Sequence, residues 1–442
     1  MFYSDANPYK AAEQDAAEQD AAEQDNSQWR ENRLSADQDN SLKYDISLQE
    51  PNFSQLSTAL RTHRAVHNDI FASSFGIAGL FYFYDYDAEY IDARLFPWLK
   101  VHPNTIRLRK SFKGTGIVLS VNDRYTDLAV STLLMIRNIH KCNLPVEVFY
   151  IGEDDLSVDN QNRLEEIPYT KTIDITTIFD NEILNMEGWS SKPFALLASS
   201  FRNAMIIDAD TVFLQSPDIL FQNKLYLEHG ALFFQDRTAY ELMLFQRFWI
   251  ELLFPHGMSE YASNTRMMRG ESGHQQESGV VVIDKLRRLP GLLATSMLNT
   301  DKIRNNTYQY VHGDKETFWL GFEMVGEDYI FNPTPVGTLG KKKDCERENW
   351  LFKVCSAQIL HSTDAGPMWI NGGIIDDKFN SSNIHVITPT HYVHEPGEWS
   401  FSSKVRNLAC LLTNSTPKAL PNTIRQVLID SGKIWIENAQ NQ

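Results

Sequence analysis

Two carboxylates with one residue between them, Asp208-Ala209-Asp210, follow the apolar run Ala204 to Ile207 and precede Thr211-Val212-Phe213-Leu214. Paired hard oxygen ligands at the end of a strand suit Mg²⁺ or Mn²⁺, which keeps several waters and bridges the phosphates of a bound nucleotide. Such a cation neutralises charge on a departing diphosphate. The triplet alone is a weak signal, because acidic pairs also cap strands or face solvent, so its surroundings matter. Lys192 opens a helix just ahead of the apolar run, where an ammonium can meet a phosphate oxygen or face water. His361, after Gln358-Ile359-Leu360, offers an imidazole as a third metal ligand, although a lone His is more often a hydrogen-bonded structural residue.

A second group of polar residues stands at comparable places. Glu277 and Ser278 precede the apolar run Gly279 to Asp284, a strand edge suited to ligand contacts. His312-Gly313-Asp314-Lys315-Glu316 precedes the aromatic pair Phe318-Trp319. A carboxylate beside an aromatic platform suits a sugar, whose hydroxyls need acceptors and whose C–H face needs a flat apolar partner. Asp314 and Glu316 equally suit capping of the helix that follows.

To gather these residues, the chain must alternate strands with helices, and from Ile117 onward its pattern does so. Strands are predicted at Ile117 to Val121, Val146 to Ile151, Lys171 to Ile175, Ala204 to Ile207 and Gly279 to Asp284. Helices are predicted at Tyr125 to His140, Val158 to Ile167 and Lys192 to Phe201. This alternation builds an α/β fold with a mainly parallel sheet, and ligands bind outside the carboxyl ends of such strands, where Asp208 stands. A helix is expected at Phe53 to Val66, and two more at Phe401 to Leu412 and Leu420 to Ile429. The expected division is a disordered, low-complexity acidic segment over 1–50, a helical subdomain over 51–115, the α/β domain over 116–395 and a helical extension over 396–442. Within the first segment AAEQD is repeated over 11–25, either as a spacer or as a neutral expansion.

Bulk properties narrow the function classes. With 442 residues, 42% of them hydrophobic, the chain can bury a large core. The net charge of −16, with no basic cluster beyond Lys341-Lys342-Lys343, argues against a nucleic-acid partner. The four cysteines lack paired CxxC spacings, so no thiolate zinc site is expected. Cys345 and Cys355 could close a short disulfide loop, the alternative being four isolated thiols. Sequons at Asn52, Asn305, Asn380 and Asn414 are compatible with a secretory lumen. The longest apolar stretch, Phe71 to Tyr84, falls short of the roughly 20 residues of a membrane span, so neither a transmembrane segment nor a signal peptide is expected in this chain.

Six motifs stand in an order that resembles the fungal α-1,3-mannosyltransferase family. They are Lys192-Pro193, IIDADTVFLQSPD (Ile206 to Asp218), HGALFFQDR (His229 to Arg237), QESGVVVIDK (Gln276 to Lys285), HGDKETFWLGF (His312 to Phe322) and ILHSTDAGPMWINGG (Ile359 to Gly373). The resemblance runs from about Gly116 to about Gly373. It implies a GT-A fold, retaining transfer of mannose from GDP-mannose to a mannose-terminated glycan of a glycoprotein, Mn²⁺ (or Mg²⁺) dependence and residence in the Golgi lumen or at its membrane. A more distant similarity to glycogenin-like transferases implies roles. Lys192 would contact donor phosphate, Asp208, Asp210 and His361 would hold the metal, and Asp314 would lie beside the donor sugar. On this reading the nucleotide lies over the strand ends at Asn122 and Asp123, and Asp314 and Glu277 are the candidate nucleophiles or sugar-positioning groups. Two alternatives remain: a UDP-glucose or UDP-galactose donor on the same fold, and an inactive glycan-binding protein.

Overall fold

The structure is a computed structural model and describes residues 44–46, 50–74, 89–239, 243–344, 351–375, 385–402 and 408–440. The AAEQD repeat with most of the 1–50 segment, Cys345 and the Asn380 sequon lie outside the described residues.

After helices α1 (Phe53–Ser74) and α2 (Thr105–Ser111), strand and helix alternate as β1 (Thr115–Ser120), α3 (Thr126–Asn138), β2 (Val146–Tyr150), α4 (Val158–Glu165), β3 (Thr170–Asp174), α5 (Ser191–Ala198) and β4 (Asn203–Ile207). The chain continues through β5 (Val212–Phe213), β6 (Ala231–Gln235), α6 (Leu244–Leu252), β7 (Gln276–Asp284), α7 (Lys285–Leu298), α8 (Lys315–Val325) and β8 (Ile330–Phe331). The main sheet has the order β3-β2-β1-β4-β7-β6-β8. Its first four strands are parallel, and β7 runs antiparallel to both β4 and β6. The mainly parallel α/β expectation holds, with one reversed strand at its centre.

The sheet is buried on both faces, which explains why its central strands read as continuous apolar runs rather than alternating ones. On β1, β4 and β7, Val118, Ile206 and Val281 face a core shared with Phe194 of α5, Leu292 of α7 and Phe318 of α8. Leu119, Ile207 and Val282 face the opposite core, shared with Leu133 of α3, Leu164 of α4 and Trp369. The N-terminal helices add no separate core: Phe53, Leu56 and Leu60 of α1 and Ile106 and Leu108 of α2 bury themselves in the first of these clusters. Arg64 on α1 pairs with Glu327 at 2.7 Å. Helices α1 and α2 are thus packed onto the main domain.

Helices α7 and α8 touch backbone to backbone. A Cβ at Gly321 would stand 2.5 Å from the Thr295 nitrogen, closer than any neighbour can yield without the helices separating. Gly321→Ala should therefore destabilise the fold by about 1–3 kcal/mol, seen as a lowered denaturant midpoint with an unchanged slope.

The remainder forms two smaller sheets from β9 (Gly337–Gly340), β10 (Lys342–Asp344), β11 (Phe352–Ser356), β12 (Ile359–Thr363), β13 (Gly366–Asn371), β14 (His391–His394), β15 (Glu398–Phe401), β16 (Ala409–Thr413) and β17 (Lys418–Ala419). One sheet has the order β17-β14-β9-β12-β13-β5, the other β10-β11-β16-β15. A last helix, α9 (Asn422–Gln440), packs on α3, where Asn438 donates to the Asp127 carbonyl at 3.2 Å and to Ser131 Oγ at 3.0 Å.

Two expectations are corrected here. The helix expected over Phe401 to Leu412 is not found in its described residues: Phe401 ends β15, and Ala409 to Leu412 belong to β16, which pairs with β15 and with β11. A short apolar run such as Ala409 to Leu412 carries no periodicity that separates strand from helix, and pairing partners decided it. Cys355 does not bond Cys345. It sits directly across from Cys410 on the β11–β16 pair and is disulfide-bonded to it, while Cys142 is free and buried. Among the described residues no helix is long and apolar enough to cross a membrane.

Candidate active site

The chain leaves the main sheet after β4, and β5, two residues beyond Asp210, pairs antiparallel with β13, Trp369 opposite Phe213 and Ile370 opposite Val212. The Asp208-Ala209-Asp210 turn therefore lies where two sheets meet, and backbone bonds hold its shape. Asp208 N–H donates to the Gly279 carbonyl at 2.9 Å, Thr211 Oγ1 to the same carbonyl at 3.0 Å, and Gly373 N–H to the Asp210 carbonyl at 2.9 Å. From α3, Thr132 Oγ1 donates to the Ala209 carbonyl at 2.7 Å.

Lys192 enters from the first turn of α5. Ser191 beside it bonds Ser120 Oγ at the end of β1, at 2.6 Å, which docks the helix start against the strand ends. The Lys192 ammonium meets Asp208 Oδ1 at 2.7 Å and Asp314 Oδ2 at 3.4 Å, and donates to the Ser278 carbonyl and Oγ at 3.0 Å. Burial works against its charge, but the carboxylates of Asp208 and Asp314 outweigh burial and hold it protonated. Asp314, at the start of α8, also accepts from Ser278 Oγ at 3.2 Å, and burial raises its carboxyl above the usual range. Glu277 Oε1 accepts from Gly279 N–H and from Asn371 Nδ2, both at 2.9 Å. Burial first, then the carboxylates of Asp236 and Asp208, push it up to about 7.

These residues line a cavity of about 250 Å³, which also takes in Trp189, Asp236, Arg237, His312, Lys315 and Asn371. Asp236 and Lys315 pair at 2.6 Å. Burial opposes the Asp236 charge, yet Lys315 and Arg237 prevail and hold its carboxyl below the usual range.

The structure thus gathers Lys192, Asp208, Glu277 and Asp314 around one space, with Asp210 one residue beyond Ala209. Asn122 and Asp123 stay at the end of β1 and do not line that cavity. Asp123 is engaged elsewhere: its Oδ1 accepts from Ser157 N–H at 2.8 Å, Ser157 Oγ at 2.9 Å and Asn160 Nδ2 at 2.8 Å. The Asn160 bond first, then those from Ser157, hold its carboxyl below the usual range.

His361 is packed among aromatic rings. It lies inside β12 rather than after it, buried in the apolar interior, stacked on Trp369 at 4.0 Å between ring centroids and edge-on to Phe234 at 5.5 Å. Among the described residues no three His, Cys, Asp or Glu side chains are grouped to hold a metal. Two carboxylates at a strand end fit a hard divalent cation that draws its other oxygens from water and phosphate, and the buried His361 Nε2 has no hydrogen-bond partner in the structure. Asn371 Nδ2 stands 3.4 Å from Asp208 Oδ2.

Sequence reasoning gave no role to Asp236, Lys315, Asn371 or Trp189. For Asp236 the signal was present, since it follows the apolar run Ala231 to Phe234 much as Asp208 follows β4. Nothing in the order of residues brings Asn371 to Asp208; the β13–β5 pairing does.

Burial also depresses His274 and His394 to about 4 and His361 to about 3. Unfolded histidines titrate near about 6.5. The stabilisation from keeping these rings neutral is therefore complete above that pH, and is lost as pH falls toward 4 and the unfolded chain takes up protons that the folded one excludes. Each ring should cost about 2 kcal/mol between pH 7 and pH 5. Denaturant midpoints should fall across that window, and His394→Gln should flatten the fall by one such increment.

The chain matches, over residues 114–363, the family model described as "Mannosyltransferase putative". The alpha-1,3-mannosyltransferase MNT3 of Saccharomyces cerevisiae is 29% identical over 308 residues, 61% of this chain and 48% of that protein. The alpha-1,3-mannosyltransferase MNT2 of the same yeast is 26% identical over 296 residues, 59% of this chain and 51% of that protein. The chain thus spans about half the length of the curated relatives it matches. Among solved structures, the mannosyltransferase Ktr4p from S. cerevisiae aligns with 50% of this chain and 68% of its own at 10% identity and a TM-score of 0.34, a likeness too slight to build on. With more than half of its residues inside the matched segment, the chain belongs to this mannosyltransferase family.

Proposed function

We propose that the chain is a retaining, metal-dependent α-1,3-mannosyltransferase that moves mannose from GDP-mannose to a mannose-terminated glycan of a glycoprotein in the Golgi. The observation that carries this reading is the Lys192 ammonium, buried between Asp208 and Asp314 on the wall of the cavity at the strand ends. A charged amine there offers its protons to a diphosphate oxygen when the donor displaces one of its carboxylate contacts. Asp208 and Asp210 would hold Mn²⁺ or Mg²⁺, which when bound supplies positive charge against the leaving diphosphate. Asp314 and Glu277 face the same space and are the groups available to the donor sugar. Retention of configuration requires a carboxylate nucleophile or attack on the face that the leaving group vacates. In the second case a leaving-phosphate oxygen takes the acceptor proton.

Release of GDP from GDP-mannose with Mn²⁺ and α-mannobiose tests the reading, with UDP-glucose and UDP-galactose in parallel. Turnover of GDP-mannose alone is the expected result. Turnover of a UDP-sugar alone would keep the site and replace the donor, and glycan binding without turnover of any donor would make the chain a binding protein.

A further inference from the structure

Trp189 is an unusual wall for a polar cavity. The residue is 56% exposed, although it lines the same space as Lys192 and Asp314. Leaving an indole open to water forgoes burial of a large apolar surface, and a loop under no other constraint would turn it inward. The loop is constrained. Arg304, itself 2% exposed, donates through Nη1 to the Asn185 carbonyl at 2.8 Å and Ser190 Oγ at 3.1 Å, and through Nη2 to Glu187 Oε1 at 3.1 Å. The indole is also set against the backbone just before Asp314: a Cβ on Gly313, where φ is +67°, would stand 2.8 Å from Trp189 Cε3. Only glycine meets both conditions at that position, the positive φ and the close approach.

From Trp189 a row of rings leads inward. His312 lies 5.4 Å from it, and His274 lies 6.1 Å from His312. Burial lowers both imidazoles, which favours the neutral form, in which each can donate one hydrogen bond and accept another. The row ends near the Asp236–Lys315 pair, on the same cavity wall. An open, fixed aromatic face followed by neutral donor–acceptor groups matches a neutral hexose, which presents an apolar C–H face and a rim of hydroxyls. An anionic donor would find a charged partner in the Lys192 ammonium of the same cavity lining.

We infer that Trp189 and His312 form the acceptor-glycan subsite, with the indole stacking on the pyranose ring that receives the transferred sugar. The inference rests on the glycosyl-transfer reading for its biology, but its test does not depend on turnover. Isothermal titration of the full chain with α-mannobiose, in the absence of any donor, should show binding that Trp189→Ala weakens about tenfold and Trp189→Phe weakens less, since a smaller ring keeps part of the face. In steady-state assays Trp189→Ala should raise the acceptor KM by a similar factor, with a change of less than about threefold in the donor KM. Equal α-mannobiose affinity in wild type and Trp189→Ala, or a rise confined to the donor KM, would overturn the inference. Absence of GDP release by the wild type would instead count against the donor assignment, while Trp189-dependent glycan binding would still support the subsite.

Discussion

Lys192→Met should lower kcat for GDP release by about 100- to 1000-fold, the size of effect seen when one preorganised charge-stabilising donor is removed from an active site. Methionine keeps most of the length and apolar stem but removes the cation that touches both Asp208 and Asp314. Loss of the ammonium leaves two largely buried carboxylates without their counter-charge, and breaking such a pair by removing one partner costs about 3–5 kcal/mol unless a carboxyl takes up a proton. The variant should therefore melt earlier as well as turn over slowly. Lys192→Arg should not restore the rate, because a planar fork cannot occupy the space in which one ammonium meets Asp208, Asp314 and Ser278. A kcat within a few-fold of wild type in Lys192→Met would remove Lys192 from the chemistry and with it the main support for the donor site.

Asp210→Asn should abolish measurable transfer, a loss of at least about a thousandfold, while leaving the thermal midpoint close to wild type. The reason is chemical rather than steric. Asparagine copies the shape of the side chain, and the backbone carbonyl that Gly373 N–H binds is retained, but a neutral amide is a poor ligand for a hard divalent cation. The direct readout is binding: GDP titrated into wild type should bind more tightly with Mn²⁺ than without, and Asp210→Asn should remove that difference. His361→Gln discriminates the ligand set. If the carboxylates suffice, its GDP affinity with Mn²⁺ should match wild type; if His361 moves to the metal when the donor binds, the affinity should fall as it does for Asp210→Asn.

The order of residues alone determined the alternating core of the fold. Strand β4 and the starts of α5 and α1 stand within a residue of where periodicity placed them, because long apolar runs and helix-face patterns are local signals that burial only reinforces. It also marked Lys192, Asp208, Glu277 and Asp314, since each terminates or opens an element whose far side is apolar. Tertiary structure decided what local pattern cannot carry. β16 is a strand because β11 and β15 flank it, and Cys355 found Cys410 across that pair at a sequence separation of 55. His361 packs on Trp369 and Phe234 because a strand alternates faces and its position points toward them. Asn371 reaches Asp208, and Trp189 reaches Gly313, because pairings between distant strands and a buried arginine bring them there. The sequence names the chemistry wherever a residue's neighbours in the chain are its neighbours in space. The rest of the site is made of long-range contacts, whose geometry follows from the packing of whole elements.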